Sequence, residues 1–312
     1  MRILVTGAAG YIGSALVRAL AAVPGAAIVA TDQAAMDFGL PNVDAVSGNL
    51  AYPRFARGLV TPDIGSVFHL ASLVSGGAEQ NFELGTKINL EATRDLLEAC
   101  RLAGTCPKFM FASSIAVYSV SGEVDDGTPP VPRLSYGAQK LVCEILIDDY
   151  SRRRFVDGRT LRLPAVMVRP GGANTAVSGW VSAIIREPLA GRDYVCPVRP
   201  DTRMACISVA RVVESFIHAS TLEAASLGHA RTVLLEGISV SAQQMWDAVK
   251  PRARGSVRFK PDPAIQKIMD AAPKAAHSAR ARALGFRASA SIDEIVAEYE
   301  KNHPNPAIAH HG

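Results

Sequence analysis

The chain has 312 residues, 48% hydrophobic and 20% charged, with a mean hydropathy of +0.14. That supplies a large core for one or two domains and excludes a disordered chain. A net charge of +4 is too small to argue for nucleic acid, and neither an apolar run of about 18 residues nor a charged-then-apolar leader marks a membrane protein.

In chain order, RILVT (2–6) is an unbroken β-rich run suited to a strand buried on both faces. A glycine turn follows, and YIGSALVRALAAV (11–23) has helical spacing stopped by Pro24-Gly25. Further strands are expected at AIVATD (27–32), GSVFHLAS (65–72), KFMFASS (108–114) and RTLRLPAVMV (159–168). Two helices lie between them, KINLEATRDLLEACRLAG (87–104) and SYGAQKLVCEILIDDYSRR (135–153). This strict alternation predicts an α/β fold, a Rossmann-type doubly wound parallel sheet. After Arg169, Gly and Pro become frequent and the rhythm loosens; SIDEIVAEYEKN (291–302) is a late helix. The five cysteines (Cys100, Cys106, Cys143, Cys196, Cys206) are odd in number without a CxxC pair, which fits reduced thiols in a cytoplasm and no metal site.

Gly7, Gly10 and Gly13 stand at GxxGxxG spacing between the first strand and the first helix. There, glycines let the backbone approach a pyrophosphate whose charge sits at the helix N-terminus. Asp32 closes the second strand, where a carboxylate accepts from adenine-ribose hydroxyls and repels a 2′-phosphate, so NAD is favoured over NADP. Residues 1–168 are expected to form an NAD-binding Rossmann domain, with returning segments near 205–240. Residues 169–312 are expected to be mainly a smaller C-terminal substrate-binding lobe.

Ligands of such a sheet lie outside the carboxyl ends of its strands. KFMFASS ends there with Ser113 and Ser114, and the next helix carries Tyr136 and Lys140 at i and i+4, on one face. A tyrosine with a pKa near 10 is a poor base at neutral pH, and a nearby ammonium favours its phenolate. An orienting hydroxyl, a tunable acid/base and a cation make a set for dry hydride transfer.

The glycine loop, HLAS (69–72), Asn89 in KINLEAT, SSIAVY (113–118) and SYGAQK (135–140) follow one another as in extended short-chain dehydrogenases/reductases, the sugar-nucleotide epimerase/dehydratase relatives. Residues 1 to about 170 resemble that family. The resemblance implies that Tyr136 is the acid/base, that Lys140 binds the nicotinamide ribose and tunes it, and that Ser114 is the third catalytic member. Asn89 would bend its helix near the proton-relay lysine, the alternative being a plain polar helix residue. Gly7, Ala9, Gly10, Tyr11, Ile12, Gly13, Asp32, Leu70, Ala71 and Ser72 would line the cofactor, with Pro164 and Val166 near the nicotinamide amide. The usual Asp-Leu that contacts adenine is here Asn49-Leu50, and an amide can still hydrogen-bond adenine. A homodimer through a helix bundle including the Tyr136 helix is also implied.

LVSGGAEQNFELG (73–85), residues 151–171 and SGWVSAIIREPLAG (178–191) resemble bacterial enzymes that oxidise C2 of D-erythronate, a four-carbon sugar acid, with NAD. A sugar-acid substrate needs a carboxylate anchor, for which Arg169, Arg186, Arg192, Arg199 and Arg203 are candidates, because a guanidinium pairs with a carboxylate in bidentate fashion. Each has a solvated or structural alternative, Arg186 as a helix-end residue in particular. Ser75 and Gly76 suit a loop beside the reacting carbon, and Asn174 suits a hydroxyl partner. Two other functions compete: a nucleotide-sugar 4-epimerase that retains NAD, and a non-catalytic dinucleotide sensor, against which the joint presence of Ser114, Tyr136 and Lys140 argues.

Overall fold

A computed structural model of the chain describes residues 2–172 and 176–304. Its strands begin with β1 (Arg2–Thr6), β2 (Ala27–Asp32), β3 (Val43–Ser47), β4 (Ile64–His69), β5 (Lys108–Ser114), β6 (Gly122–Val124) and β7 (Asp157–Leu163). They continue with β8 (Ala165–Met167), β9 (Tyr194–Cys196), β10 (Arg203–Ser208), β11 (Thr232–Leu234), β12 (Ile238–Ser241), β13 (Val257–Phe259) and β14 (Pro273–Ala276). The helices used below are α1 (Tyr11–Ala21), α2 (Pro53–Gly58), α3 (Ser75–Gln80), α4 (Phe82–Gly85), α5 (Ala92–Ala103) and α6 (Ser135–Arg152).

Seven strands make one sheet in the order β11-β7-β5-β4-β1-β2-β3, and the pairs β1–β2, β1–β4, β2–β3 and β4–β5 run parallel. The RILVT run lies inside it, between β4 and β2, with Leu4 and Val5 fully buried. A strand covered on both faces has no polar side to alternate with, which is why its sequence is continuously apolar. Leu4, Val67, Leu96, Leu97, Phe109 and Phe111 share one core cluster, and burial of each such side chain contributes roughly 1.5–3 kcal/mol. The chain winds outward from β1 through β2 to β3, then returns to the other side through β4, β5 and β7. The carboxyl ends of β1 and β4 therefore flank the point where winding reverses, where doubly wound sheets bind ligands.

Two expected elements are interrupted. The helix predicted over 87–104 opens with a π-helical turn, Thr86–Glu91, before α5 begins. Thr93 Oγ1 and Cys143 Sγ both donate to the Asn89 carbonyl, at 2.8 and 3.2 Å. Side-chain donors at that oxygen accompany a widened turn. The strand predicted over 159–168 breaks at Pro164, which has no N–H to give a ladder. Its second half, β8, pairs with β10.

The chain divides into two compact units, one of Met1–Val117, Pro132–Arg162 and Val213–Val233, the other of Tyr118–Val131, Leu163–Val212 and Leu234–Gly312. Relative to the expected division at 168 with returning segments near 205–240, residues 118–131 and 163–168 group with the second unit and 213–233 with the first. Within the second unit, β12-β10-β8 form a three-stranded sheet, and β13-β9 and β14-β6 form two-stranded ones. Its last helix, Ile292–Asn302, starts where Ser291 accepts a hydrogen bond from the Glu294 N–H, an N-cap. Among the described residues no helix is long and apolar enough to cross a membrane.

Candidate active site

At the end of β1 the backbone itself forms the site. Gly7 has φ +71°, and a Cβ on it would lie 2.6 Å from the Ala71 nitrogen. A Cβ on Gly13 would lie 2.0 Å from the Gly7 carbonyl oxygen. Only glycine lets the start of α1, the loop and the end of β4 meet this closely. Asp32 Oδ2 accepts from the Ala9 N–H at 3.1 Å and Oδ1 from the Ala34 N–H at 3.2 Å. The carboxylate thus stands at the tip of β2 beside the glycine turn. A glycine cradle at a helix start with an acidic residue one strand away fits a dinucleotide. Tyr11 and Ile12 open α1. Leu70 and Ala71 are tied to Thr6 through its carbonyl and hydroxyl oxygens. Asn49 turns its Oδ1 to the Ala51 N–H, while Leu50 is buried in the core.

At the end of β5 side chains form it. Ser114, at the strand end, accepts from the Ala116 N–H at 3.1 Å, and α6 begins with Ser135 and Tyr136. A Cβ on Gly137 would lie 2.1 Å from the Ala116 carbonyl oxygen. This glycine therefore allows the first turn of α6 to press against the turn after Ser114. The Tyr136 hydroxyl is hydrogen-bonded with both Ser72 and Ser114. Lys140 is 1% exposed, and its Nζ lies 4.6 Å from the Phe111 ring centroid and 5.6 Å from that of Tyr136. Cations over aromatic faces are attracted by the ring quadrupole.

Burial pushes the Tyr136 phenol above its ordinary range, and the bonds from Ser72 and Ser114 pull the other way. The sequence led us to expect a lowered value; with Lys140 over the ring, desolvation of the phenolate outweighs the neighbouring donors. Burial also pushes Lys140 down to about 8, with Cys143 and Glu144 opposing it. The ammonium thus remains the main form at neutral pH.

Asn89, 1% exposed, sits in the π-turn. Its Oδ1 accepts from Ser72 Oγ at 2.9 Å and the Leu73 N–H at 2.8 Å. Its Nδ2 donates to the Leu73 carbonyl at 3.0 Å and to Gln139 Oε1 at 2.7 Å. Sequence reasoning missed Gln139, which pattern alone does not separate from any polar helix residue. It also missed Glu79 of α3, whose carboxylate accepts from the Ser135 N–H and so fixes the start of α6. A third omission is Glu144, which accepts from Ser113 Oγ and from Arg162 through Nε at 3.0 Å and Nη2 at 2.6 Å. Its spacing of four after Lys140 was the available signal. His69 is a fourth: its Nδ1 lies 2.7 Å from Thr6 Oγ1 and its Nε2 2.9 Å from Thr93 Oγ1. Burial first, and Lys140 second, push it down to about 3, so it is neutral.

The first unit brings together Ser72, Asn89, Ser114, Tyr136 and Lys140, with Ser75 and Gly76 opening α3. The other candidates belong to the second unit. Pro164 precedes β8, and Val166 pairs with Ile207. Arg186 is 3% exposed and donates to Glu187 Oε1 and, at 2.8 Å, to the Arg169 carbonyl, which fits its structural alternative. Arg192 pairs with Glu187 and Arg199 with Asp270. Arg203 donates to the Ser239 hydroxyl at 2.9 Å and carbonyl at 2.8 Å. Asn174 lies outside the described residues. No group of three or more His, Cys, Asp or Glu with metal-holding geometry occurs among the described residues.

A family model described as NAD dependent epimerase/dehydratase matches residues 3–227. D-erythronate dehydrogenase of Cupriavidus necator is 40% identical, over 96% of this chain and 98% of its own length. The Haemophilus influenzae protein of the same name is 36% identical with the same coverage. Among solved structures, a nucleoside-diphosphate-sugar epimerase from Agrobacterium tumefaciens superposes with a TM-score of 0.91 at 34% identity, covering 98% of this chain and 95% of that one.

Proposed function

The chain belongs to the NAD dependent epimerase/dehydratase family and is an NAD-dependent oxidoreductase, and on that premise we propose that it oxidises the C2 hydroxyl of a small sugar acid, D-erythronate giving 2-oxo-tetronate. The observation that carries this reading is the Tyr136 hydroxyl hydrogen-bonded with Ser114 beside buried Lys140. Two relatives bearing that enzyme's name, alike over nearly their whole length, support the substrate. NAD, held by the Gly7–Gly13 cradle and Asp32, supplies the hydride acceptor. Tyr136, as phenolate, takes the proton of the substrate's secondary hydroxyl. Ser114 donates to the same oxygen and holds it toward Tyr136. Lys140 contributes the positive charge that favours the phenolate. The raised pKa of Tyr136 means that this base is scarce at neutral pH, so turnover in the oxidative direction rises with pH.

A second reading, nucleotide-sugar 4-epimerase, is favoured by the name of the Agrobacterium structure. One experiment separates the two: purified protein with NAD is given four- to six-carbon aldonates and, separately, UDP- and TDP-sugars. Stoichiometric NADH from an aldonate is the expected outcome; interconversion of a sugar without net NADH would establish the epimerase instead. Tyr136→Phe is expected to bind NAD yet lose nearly all turnover, about a thousandfold or more. Exposed Leu102, Val142 and Ile145 on α5 and α6 support a homodimer through this helix pair.

A further inference from the structure

Ser72, Asn89 and Gln139 form a line of hydrogen bonds ending at the Tyr136 hydroxyl, and the reaction outlined above leaves it without a task. The orientation of the Asn89 amide is settled by its partners. One Nδ2 proton goes to the Leu73 carbonyl and the other to Gln139 Oε1, and Oδ1 accepts from the Leu73 N–H. A reversed amide would set Nδ2 against that N–H. Oδ1 therefore faces Ser72, which donates to it at 2.9 Å.

Gln139 is 5% exposed, and its Nε2 has no hydrogen-bond partner among the described residues. Turning that amide would give Nε2 new surroundings but would oppose two donors at Asn89. The buried orphan is thus the consequence of holding Oε1 on Asn89, and such orphans call for a reason. The line is kept rigid at Gln139 and Asn89, and only its Ser72 end can rotate.

Ser72 carries one hydroxyl proton and faces Asn89 Oδ1 at 2.9 Å and the Tyr136 oxygen, with the Leu73 carbonyl a longer third acceptor at 3.5 Å. While Tyr136 is protonated, its own O–H satisfies a serine oxygen and the Ser72 proton rests on Asn89. When Tyr136 is a phenolate it has no proton to give, and the Ser72 proton can turn to it; Asn89 Oδ1 then keeps the Leu73 N–H. We propose that Ser72 is a positioning residue for the acid/base tyrosine, a hydroxyl whose proton alternates between Asn89 and Tyr136 as Tyr136 loses and regains its own. The proposal rests on the reading of Tyr136 as the base. Each hydrogen bond donated to a phenolate favours it, so Ser72 and Ser114 together counter part of the burial that disfavours it.

The other groups around Tyr136 do not reproduce this effect. Lys140 lies over its ring, with Cys143 and Glu144 acting on Lys140 from the next turn. His69, on the sheet side, is neutral above about pH 3, and Glu79 of α3 is engaged at the Ser135 N–H.

Ultraviolet difference titration of the full chain, with Tyr136→Phe as the blank, reads the ionisation of Tyr136 without any substrate. Ser72→Ala is expected to raise the midpoint by about one pH unit, and the rising limb of kcat against pH for oxidation of the aldonate by the same amount, roughly tenfold in turnover below the limb. Ser72→Thr restores both. Ser72→Cys, nearly isosteric with a weaker donor, gives a smaller shift and keeps the test open if the alanine variant does not fold. An unchanged midpoint in Ser72→Ala and Ser72→Cys overturns the proposal, while loss of turnover in Tyr136→Phe alongside it would leave the base assignment standing. Substantial turnover by Tyr136→Phe overturns both.

Discussion

The loop after β1 and the segment after β5 sit at the same edge of one sheet and are built from different materials. In the first, main chain meets main chain: the contacts that matter are those a Cβ on Gly7 or Gly13 would destroy. In the second, function depends on the protonation of side chains removed from water, where burial opposes the charged form each needs. The first tolerates no added atom, and the second no added or missing proton. Steric sites are therefore rigid by default, whereas a buried polar site must be held in place by further hydrogen bonds, here from Asn89, Gln139 and Glu79.

That contrast breaks most sharply at Lys140. Lys140→Met is expected to lower turnover about a thousandfold while raising stability. The unfolded chain holds the lysine proton up to about pH 10.5, the folded one only to about 8. Below pH 8 the buried ammonium therefore costs up to about 3 kcal/mol, which methionine relieves. Kinetics paired with urea denaturation at pH 7 check this; lost stability would contradict the account. Gly13→Ala breaks the steric half instead. Its methyl would force apart backbone 2.0 Å away, and an overpacking cost of about 3 kcal/mol means roughly a hundredfold weaker NAD binding. Fluorescence titration with NAD reads it, and near-normal affinity would show that the loop yields.

The smallest effect sharpens the protonation half. His69 titrates from 6.5 down to about 3 on folding, so the unfolded state binds the extra proton between those values. Stability is then full above about pH 6.5 and falls as pH drops, by about 2 kcal/mol at pH 5. Denaturation midpoints at pH 7 and 5 should converge in His69→Gln relative to the wild type. Equal pH sensitivity in both would assign the acid slope to other groups.

What could be read from sequence follows the same line. The glycine spacing with Asp32, and the tyrosine four residues before Lys140, are local patterns whose stereochemistry follows from strand and helix geometry. The break at Pro164 was also written locally, in the missing N–H inside RTLRLPAVMV. The bonds of Asn89 to Gln139, of Glu144 to Arg162 and of Glu79 to Ser135 join segments 18 to 56 residues apart. No periodicity encodes such pairings. The π-turn escaped for the same reason, since Cys143, one of the two donors at the Asn89 carbonyl, lies 54 residues on.

The interleaving of the two units has a consequence for synthesis on the ribosome. When β7 leaves the exit tunnel, the strand that covers its outer edge, β11, follows only about seventy residues later, several seconds at roughly 5–20 residues per second. Through that interval Arg159, whose Nη2 ends on the Leu222 carbonyl at 2.7 Å, has no such oxygen to meet. A nascent chain paused after β7 has emerged and before β11 follows carries an open sheet edge, the kind of surface on which neighbouring chains and holdase chaperones compete.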